Sequence, residues 1–263
     1  MLYSDYFYTM GKTHQVCEDF AVQGDNPTPF IVVCDGCSAS AHSDVGARVL
    51  SLTSKHIIEN ASNWPLDYLS FGQQLIIEAW DVVEEMEVTT EALDSTVVLA
   101  FLHQDALQVY MYGDGVLFFK DRAGNLGTIE VSFTHNAPFY LSYWPDKMRQ
   151  EEYARYEPNP LIITDSVNGQ SKPQPFQTPL SFNFPVEKFP IVAIASDGVT
   201  QCFNLAHSEK LPSPSVGNDL LNFKAVSGEF VKQQCQQVLK SYAKRRIFPL
   251  DDLTIGVFVQ RDD

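Results

Sequence analysis

Two short apolar runs in this chain end in the same dipeptide: IVVCDG closes on Asp35-Gly36, and IVAIASDG closes on Asp197-Gly198. A third run, LTIGVFV, opens directly after Asp251-Asp252. Short β-type runs bounded by turn residues read as strands. If the three strands lie side by side, acidic positions far apart in sequence meet at their ends. Carboxylates packed that closely repel and take up protons unless a cation sits among them. A lone Asp-Gly would only mark a strand-ending turn; repeated at two strand ends, with Asp251-Asp252 added, it proposes a hard-metal site and a metal-assisted hydrolase.

The bulk numbers bound this reading. A chain of 263 residues is long enough for a well-buried core. Hydrophobic residues make up 44% and charged residues 19%, ordinary values for a globular protein. The net charge of -15 argues against a nucleic-acid partner, which needs a cationic face. No apolar run approaches the roughly 20 residues of a membrane-spanning helix. The opening MLYSDYFYTMGKTH lacks the basic-then-apolar order of a signal peptide, so a cytoplasmic monomer with no membrane partner is expected. Five cysteines do not form a disulfide framework. Cys34 and Cys37 have C-x-x-C spacing, but a zinc site needs a second Cys/His pair, and a thioredoxin-like site needs the motif to open a helix in a βαβ unit. Cys34 reads as a buried strand residue and Cys37 as a loop residue.

Along the chain, LYSDYFYT and the stretch through Asp19-Val22 suggest a hairpin turning at Gly11-Lys12. A helix is expected from Ser43, a good N-cap, with Val45, Val49, Leu52 and His56 on one face. A second helix is expected from about 66 to 88, with Leu69, Ile76, Trp80, Val83 and Met86 as its stripe and Gly72 as a weak point. A β-meander over 96–120 follows. From about 134 to 186 the pattern weakens into a proline- and aromatic-rich insert or flap within a single domain spanning 1–263, and specificity is expected to reside there. A last helix is expected over roughly 219–246. Strands grouped together without βαβ alternation suggest an α+β sandwich.

Oxygen-rich acidic clusters without His or Cys groups suit Mg²⁺ or Mn²⁺, and glycine after each aspartate lets the backbone approach an ion. Two such ions lower the pKa of a shared hydroxide and stabilise an in-line displacement, commonly at a phosphate ester. On these residues the chain resembles the metal-dependent protein phosphatases of type 2C, as a divergent, bacterial-type member. The motifs occur in family order: Gly11 through Glu18-Asp19, VVCDGCS, Ser95-Thr96-Val97 with VYMYGDG, AIASDGV, and LDDLTIGVFV. The resemblance implies a four-layer α/β/β/α sandwich with two central antiparallel sheets. It implies a serine/threonine phosphatase acting on phosphoproteins by direct attack of a metal-bridging hydroxide. Asp35 would bridge two ions and Gly36 contribute its carbonyl, with Glu18 on one ion and Asp197 and Asp251 on the other. Asp35 and Asp197 would thus be the catalytic pair, Asp19 a supporting or water-mediated ligand, and Asp114 the support of a third ion.

The departures fall on the phosphate-handling half. The family's phosphate-gripping arginine is His14 here, and an imidazole cannot reproduce a bidentate guanidinium contact; Lys12 or Arg48 are the alternative cations. The histidine that follows Asp-Gly in many members, proposed as general acid, is Cys37, leaving His42 as the candidate acid on that loop. Asp252 stands at the family's Asn position. These departures motivate two other readings, a phosphatase-like binding or regulatory module without turnover and, more remotely, a thiol-redox protein using Cys34 and Cys37.

Overall fold

The computed structural model describes residues 1–261. Its first half runs β1 (Leu2–Thr9), β2 (Asp19–Gly24), β3 (Phe30–Gly36), α1 (Ser43–Asn60), α2 (Tyr68–Glu85), β4 (Ser95–His103), β5 (Ala106–Tyr112), β6 (Gly115–Lys120) and β7 (Leu126–Phe133). There follow α3 (Lys147–Tyr156), β8 (Leu161–Asp165), β9 (Gly169–Gln170), β10 (Leu180–Pro185), β11 (Ile191–Ala195), β12 (Cys202–Asn204) and β13 (Glu209–Lys210). The chain ends with α4 (Ser213–Leu220), α5 (Phe230–Lys244), β14 (Ile247–Pro249) and β15 (Leu253–Gln260).

Seven strands form one antiparallel sheet in the order β1-β15-β11-β6-β7-β8-β9, and five form a second in the order β10-β5-β4-β3-β2. A small third sheet pairs β13, β12 and β14. The two large sheets pack face to face. Period-two alternation along β3 explains how: Ile31 and Val33 enter the inter-sheet core with Leu117, Ile194 and Phe258, whereas Phe30, Val32 and Cys34 point to the α1–α2 layer with Leu50, Ile57 and Leu75. On the far side, Phe118, Ala193 and Val257 of the seven-stranded sheet pack under Phe230, Val231 and Tyr242 of α5. Both sheets are therefore covered on both faces, which is why their strands read as continuous apolar runs rather than clean alternations. The result is the α/β/β/α sandwich expected from the sequence.

Several local expectations change. β1 does not form a hairpin with β2: it pairs with β15 in the larger sheet, while β2 pairs with β3 in the smaller one. Tyr3 and Phe7 of β1 pack toward α5 and Leu2, Tyr6 and Tyr8 toward the inter-sheet core, so both its faces are needed in a doubly covered sheet. The meander over 96–120 is likewise split, because β4 and β5 pair in the smaller sheet and β6 crosses to the larger. In α1 the N-cap is His42, in a left-handed conformation, and Ser43 is already helical. The inward face of α1 is Gly46, Ala47, Leu50, Ser54 and Ile57, whereas Leu52 is 54% exposed. A Cβ on Gly46 would stand 1.7 Å from the Ala92 carbonyl oxygen, so a glycine lets the helix pass close to that backbone on its buried side. α2 starts at Tyr68 behind an Asp67 N-cap whose carboxylate accepts from the Leu69 and Ser70 amides. Leu69 and Met86 of its expected stripe are exposed, and Gly72 sits against Tyr112 and Trp144. The helix expected over 219–246 is two helices, α4 and α5. The weakly patterned 134–186 stretch holds α3 and three strands, two extending the larger sheet and one edging the smaller.

Candidate metal centre at the common end of the two sheets

The acidic positions meet, though not by the side-by-side arrangement the strand ends suggested. β11 and β15 are neighbours, but β3 lies in the facing sheet. Asp19, Asp35 and Thr96 are aligned across β2, β3 and β4. Two residues further in, the same faces carry Ala21, Val33 and Val98 of the inter-sheet core. The carboxylates therefore continue the inward face of the smaller sheet past the point where apolar packing stops. From the larger sheet, Ser196 and Thr254 follow the core residue Ile194 and precede Phe258 with the same parity. Ser196 Oγ donates to Asp19 Oδ2 at 2.8 Å and accepts from the Thr254 amide at 3.0 Å, stitching β11, β15 and β2 together.

The crossings between sheets bring the remaining groups. The turn from β5 to β6 carries Asp114, whose Oδ1 accepts from Thr96 Oγ1 at 2.7 Å. The crossing from β1 to β2 carries His14 and Glu18. Asp252 is 2% exposed and anchors that crossing by accepting from the Gly11 and Glu18 amides, both at 2.6 Å. Glu18 Oε1 accepts from Ser43 Oγ at 2.8 Å, which ties the first turn of α1 to the site. Gly198 is required here because a Cβ would lie 1.8 Å from the Asp252 carbonyl oxygen. A Cβ on Gly36 would meet the Ser43 and Glu18 carbonyl oxygens at 2.8 and 2.9 Å.

Electrostatically the cluster is unbalanced. Burial, then the charges of Asp19, Asp197, Asp114 and Asp251, raises Asp35 well above the ordinary carboxylate range. Burial also pushes Asp19 up to about 7 and Asp197 up to about 8, and it raises Asp114. Among the described residues no lysine or arginine forms an ion pair with these four, and Asp19 Oδ1 is buried without a hydrogen-bond partner. An orphaned carboxylate oxygen, a ring of raised acids and an all-oxygen donor set fit a hard divalent cation.

His14 stands at the edge of this cluster, with Nε2 3.2 Å from Asp251 Oδ1 and Nδ1 3.2 Å from Asp252 Oδ2 and 3.5 Å from Glu18 Oε2. Partial burial opposes its charge, but contact with Asp252, Asp251 and Glu18 outweighs this and raises its pKa. Ligating atoms of His14, Glu18 and Asp252 lie within 4.8 Å of one another. The other cations named from the sequence are engaged elsewhere: Lys12 lies over the Phe248 ring, and Arg48 over Phe20 with Asp44 as its ion-pair partner. His42 is exposed and caps nothing with its side chain. All five cysteines are free; Cys34 points away from the cluster into the α1 interface, where burial raises its thiol to about 12. Sequence reasoning passed over Ser43 and Ser196, hydroxyls that orient the acids, and Thr254, whose amide holds the Ser196 hydroxyl. Ser196 had a signal, its place directly before Asp197 at a strand end.

A family model described as Protein phosphatase 2C matches residues 10–240. No curated protein matches the sequence. Among solved structures, the serine/threonine phosphatase Stp1 from Staphylococcus aureus superposes with a TM-score of 0.60 at 16% identity, covering 100% of this chain and 96% of that one. The Mycobacterium tuberculosis serine/threonine phosphatase PstP/Ppp gives 0.57 at 15% identity, with 99% of each chain covered. The catalytic domain of PstP in complex with two manganese ions gives 0.55 at 14% identity over the whole of both chains. At these identities the likeness is one of fold. No helix of the described residues is long and apolar enough to cross a membrane.

Proposed function

Because the chain belongs to the protein phosphatase 2C family, we propose that it is an Mn²⁺- or Mg²⁺-dependent phosphatase acting on phosphoserine or phosphothreonine in proteins, as a cytoplasmic, monomeric signalling enzyme. The observation that carries this reading is the set of buried carboxylates, Asp19, Asp35, Asp114 and Asp197, with no cationic side chain among them. Asp35, the Gly36 carbonyl and Glu18 would hold one ion, and Asp35, Asp197 and Asp251 a second. Asp114, with Thr96 behind it, offers a place for a third. Bound there, such ions would supply Lewis acidity toward a phosphoryl oxygen and acidify water.

The residues of the chain do the rest. Ser196 and Thr96 fix the rotamers of Asp19 and Asp114 by hydrogen bonds, and Ser43 fixes Glu18. Their buried hydroxyls keep the acids oriented without adding charge. Of the cations near the site, His14 is held by carboxylates, Lys12 lies over Phe248 and Arg48 pairs with Asp44, so a phosphate would have to recruit one of them from these partners; His42 is the loop side chain that would protonate a leaving alkoxide.

The test is Mn²⁺-dependent hydrolysis of phosphopeptides and p-nitrophenyl phosphate, with Asp35→Asn as control. Equal turnover by that variant, or full activity in excess chelator, overturns the proposal. A second reading, a phosphatase-like binding or regulatory module, draws on the engagement of His14 with three carboxylates in place of a free guanidinium. Tight Mn²⁺ binding with no hydrolysis of any phosphopeptide would select it.

A further inference from the structure

On the α2 side of the acidic centre lies a cavity of about 420 Å³, enclosed by α2, the end of β5 and the 133–180 stretch. Its floor is well buried, with Tyr112 2%, Leu180 4%, Phe133 7% and Phe139 7% exposed. Its rim carries Leu69 and Ile77, which are 53% and 58% exposed, on the outer side of α2. No Asp, Glu, Lys, Arg or His lines it, in a chain of net charge -15. The volume lies within the span of small-molecule pockets, about 300–1,000 Å³. A phosphate group has no cation to meet there, so the cavity is not an extension of phosphate binding. Tyr68 and Trp144, both half-buried, line it with ring centroids 6.2 Å apart and tilted by 51°, ring surfaces of the kind that receive another aromatic ring.

At Trp144 and Thr178 the backbone beside the cavity is already committed. The Trp144 amide donates to the Leu141 carbonyl at 2.9 Å, the Thr178 amide to Pro175 at 3.0 Å, and the Trp144 carbonyl accepts from Gln150 Nε2 at 2.6 Å. A docking peptide strand would need such groups free. The side-chain amides of Gln73 and Gln177, by contrast, stand at the edge of the cavity and bond to nothing else among the described residues.

We infer that this cavity is a binding site for an uncharged aromatic small molecule, seated against Tyr68 and Trp144 and oriented by the amides of Gln73 and Gln177. The inference is independent of the phosphatase reading, although cavity and acidic centre share one stretch of chain: Tyr112 and Gly113 line the first and Asp114 belongs to the second.

The test uses the full chain in excess chelator, so that its outcome does not depend on metal or turnover. The neutral dye N-phenyl-1-naphthylamine should bind saturably, one per chain, with enhanced fluorescence, and its anionic relative 1-anilinonaphthalene-8-sulfonate about tenfold more weakly. Ile77→Arg and Leu69→Arg, both at exposed positions, should leave thermal unfolding unchanged and weaken the dye about tenfold or more. Val82→Arg, placed in the separate shallow groove between α1 and α2, should change neither. Absence of saturable binding, full affinity in both rim variants, or loss of affinity in Val82→Arg overturns the assignment. Displacement of the dye by an apolar peptide also overturns it, in favour of a peptide subsite.

Discussion

Arg149 grips Asp94 through both guanidinium nitrogens, Nη1 donating to Oδ1 at 3.0 Å and Nη2 to Oδ2 at 2.7 Å. Asp94 is 4% exposed and also accepts from Ser142 Oγ at 2.6 Å and Ser40 Oγ at 3.1 Å, while its carbonyl accepts from the Cys37 amide at 2.8 Å. One carboxylate thus joins α3, the 141–143 turn and the loop that follows Asp35-Gly36. The next two residues continue the linkage: Ser95 Oγ donates to the Asp35 carbonyl at 2.8 Å, and Thr96 Oγ1 donates to Asp114. The 134–156 stretch is therefore fastened to the acidic centre by a fork and four hydroxyls, those of Ser142, Ser40, Ser95 and Thr96.

Removing the fork should cost stability as well as local order. Arg149→Ala leaves a nearly buried carboxylate without its cation, a loss of about 2–3 kcal/mol for two charge-assisted bonds that are partly screened. Arg149→Lys should recover only part of this, since an ammonium cannot reproduce the planar fork. Urea midpoints of the two variants, with Asp94→Asn completing a double-mutant cycle, measure it; a change below about 0.5 kcal/mol in Arg149→Ala would show the fork to be inert.

Asp35, Asp197 and Asp251 were legible in the sequence because apolar runs and glycines frame them, and the layers followed once the strands were seen to be doubly covered. Sheet membership was not legible. A strand, a turn and a strand read alike whether the second strand folds back on the first or crosses to the facing sheet, and only packing against α5 and β15 decides for β1. The inward face of α1 was hard to read because Leu50 and Ile57 share it with Gly46 and Ser54, whose weak hydropathy blurs the stripe. Arg149 and Asp94 are 55 positions apart with no motif between them, so nothing local could pair them. Ser43 was read as a cap from its residue type; in place it is a buried donor to Glu18.

Metal-free protein should lose stability as pH rises. Asp19 and Asp197 have folded-state values near 7 and 8 against 3.8 for the free group. A raised carboxylate stabilises the fold below the unfolded value, and this contribution is lost as pH climbs through the folded one. The melting temperature in chelator should therefore fall between pH 5 and pH 8. Excess Mn²⁺ should flatten or reverse the trend, since the cation replaces the protons. A melting temperature in chelator that climbs steadily across this window would contradict the charge balance described for the cluster.

Ser43→Ala should weaken Mn²⁺ binding without unfolding the protein. The hydroxyl donates to Glu18 Oε1 from the first turn of α1, and removing such an orienting bond typically lowers metal affinity about 10–100-fold. Calorimetric titration of Mn²⁺ into both proteins measures this, with unchanged urea midpoints in chelator as the control. Equal affinities would mean that Glu18 takes no part in holding the ion.

His14→Arg should improve the handling of substrate. The His14 ring is held by Asp251 and Asp252, both at 3.2 Å, and presents no fork to a phosphate. An arginine at this position is longer, so it can lie along the same carboxylates and still direct two N–H groups outward. One such charge-assisted contact is worth about 1.5–3 kcal/mol, which predicts a KM for a phosphothreonine peptide lowered about tenfold, with kcat changed much less. His14→Ala, by the same reasoning, should leave KM within a few-fold of the parent, because the imidazole is already occupied by carboxylates. Steady-state kinetics that separate KM from kcat decide the matter. A large rise in KM for His14→Ala would show that the imidazole itself grips the phosphate.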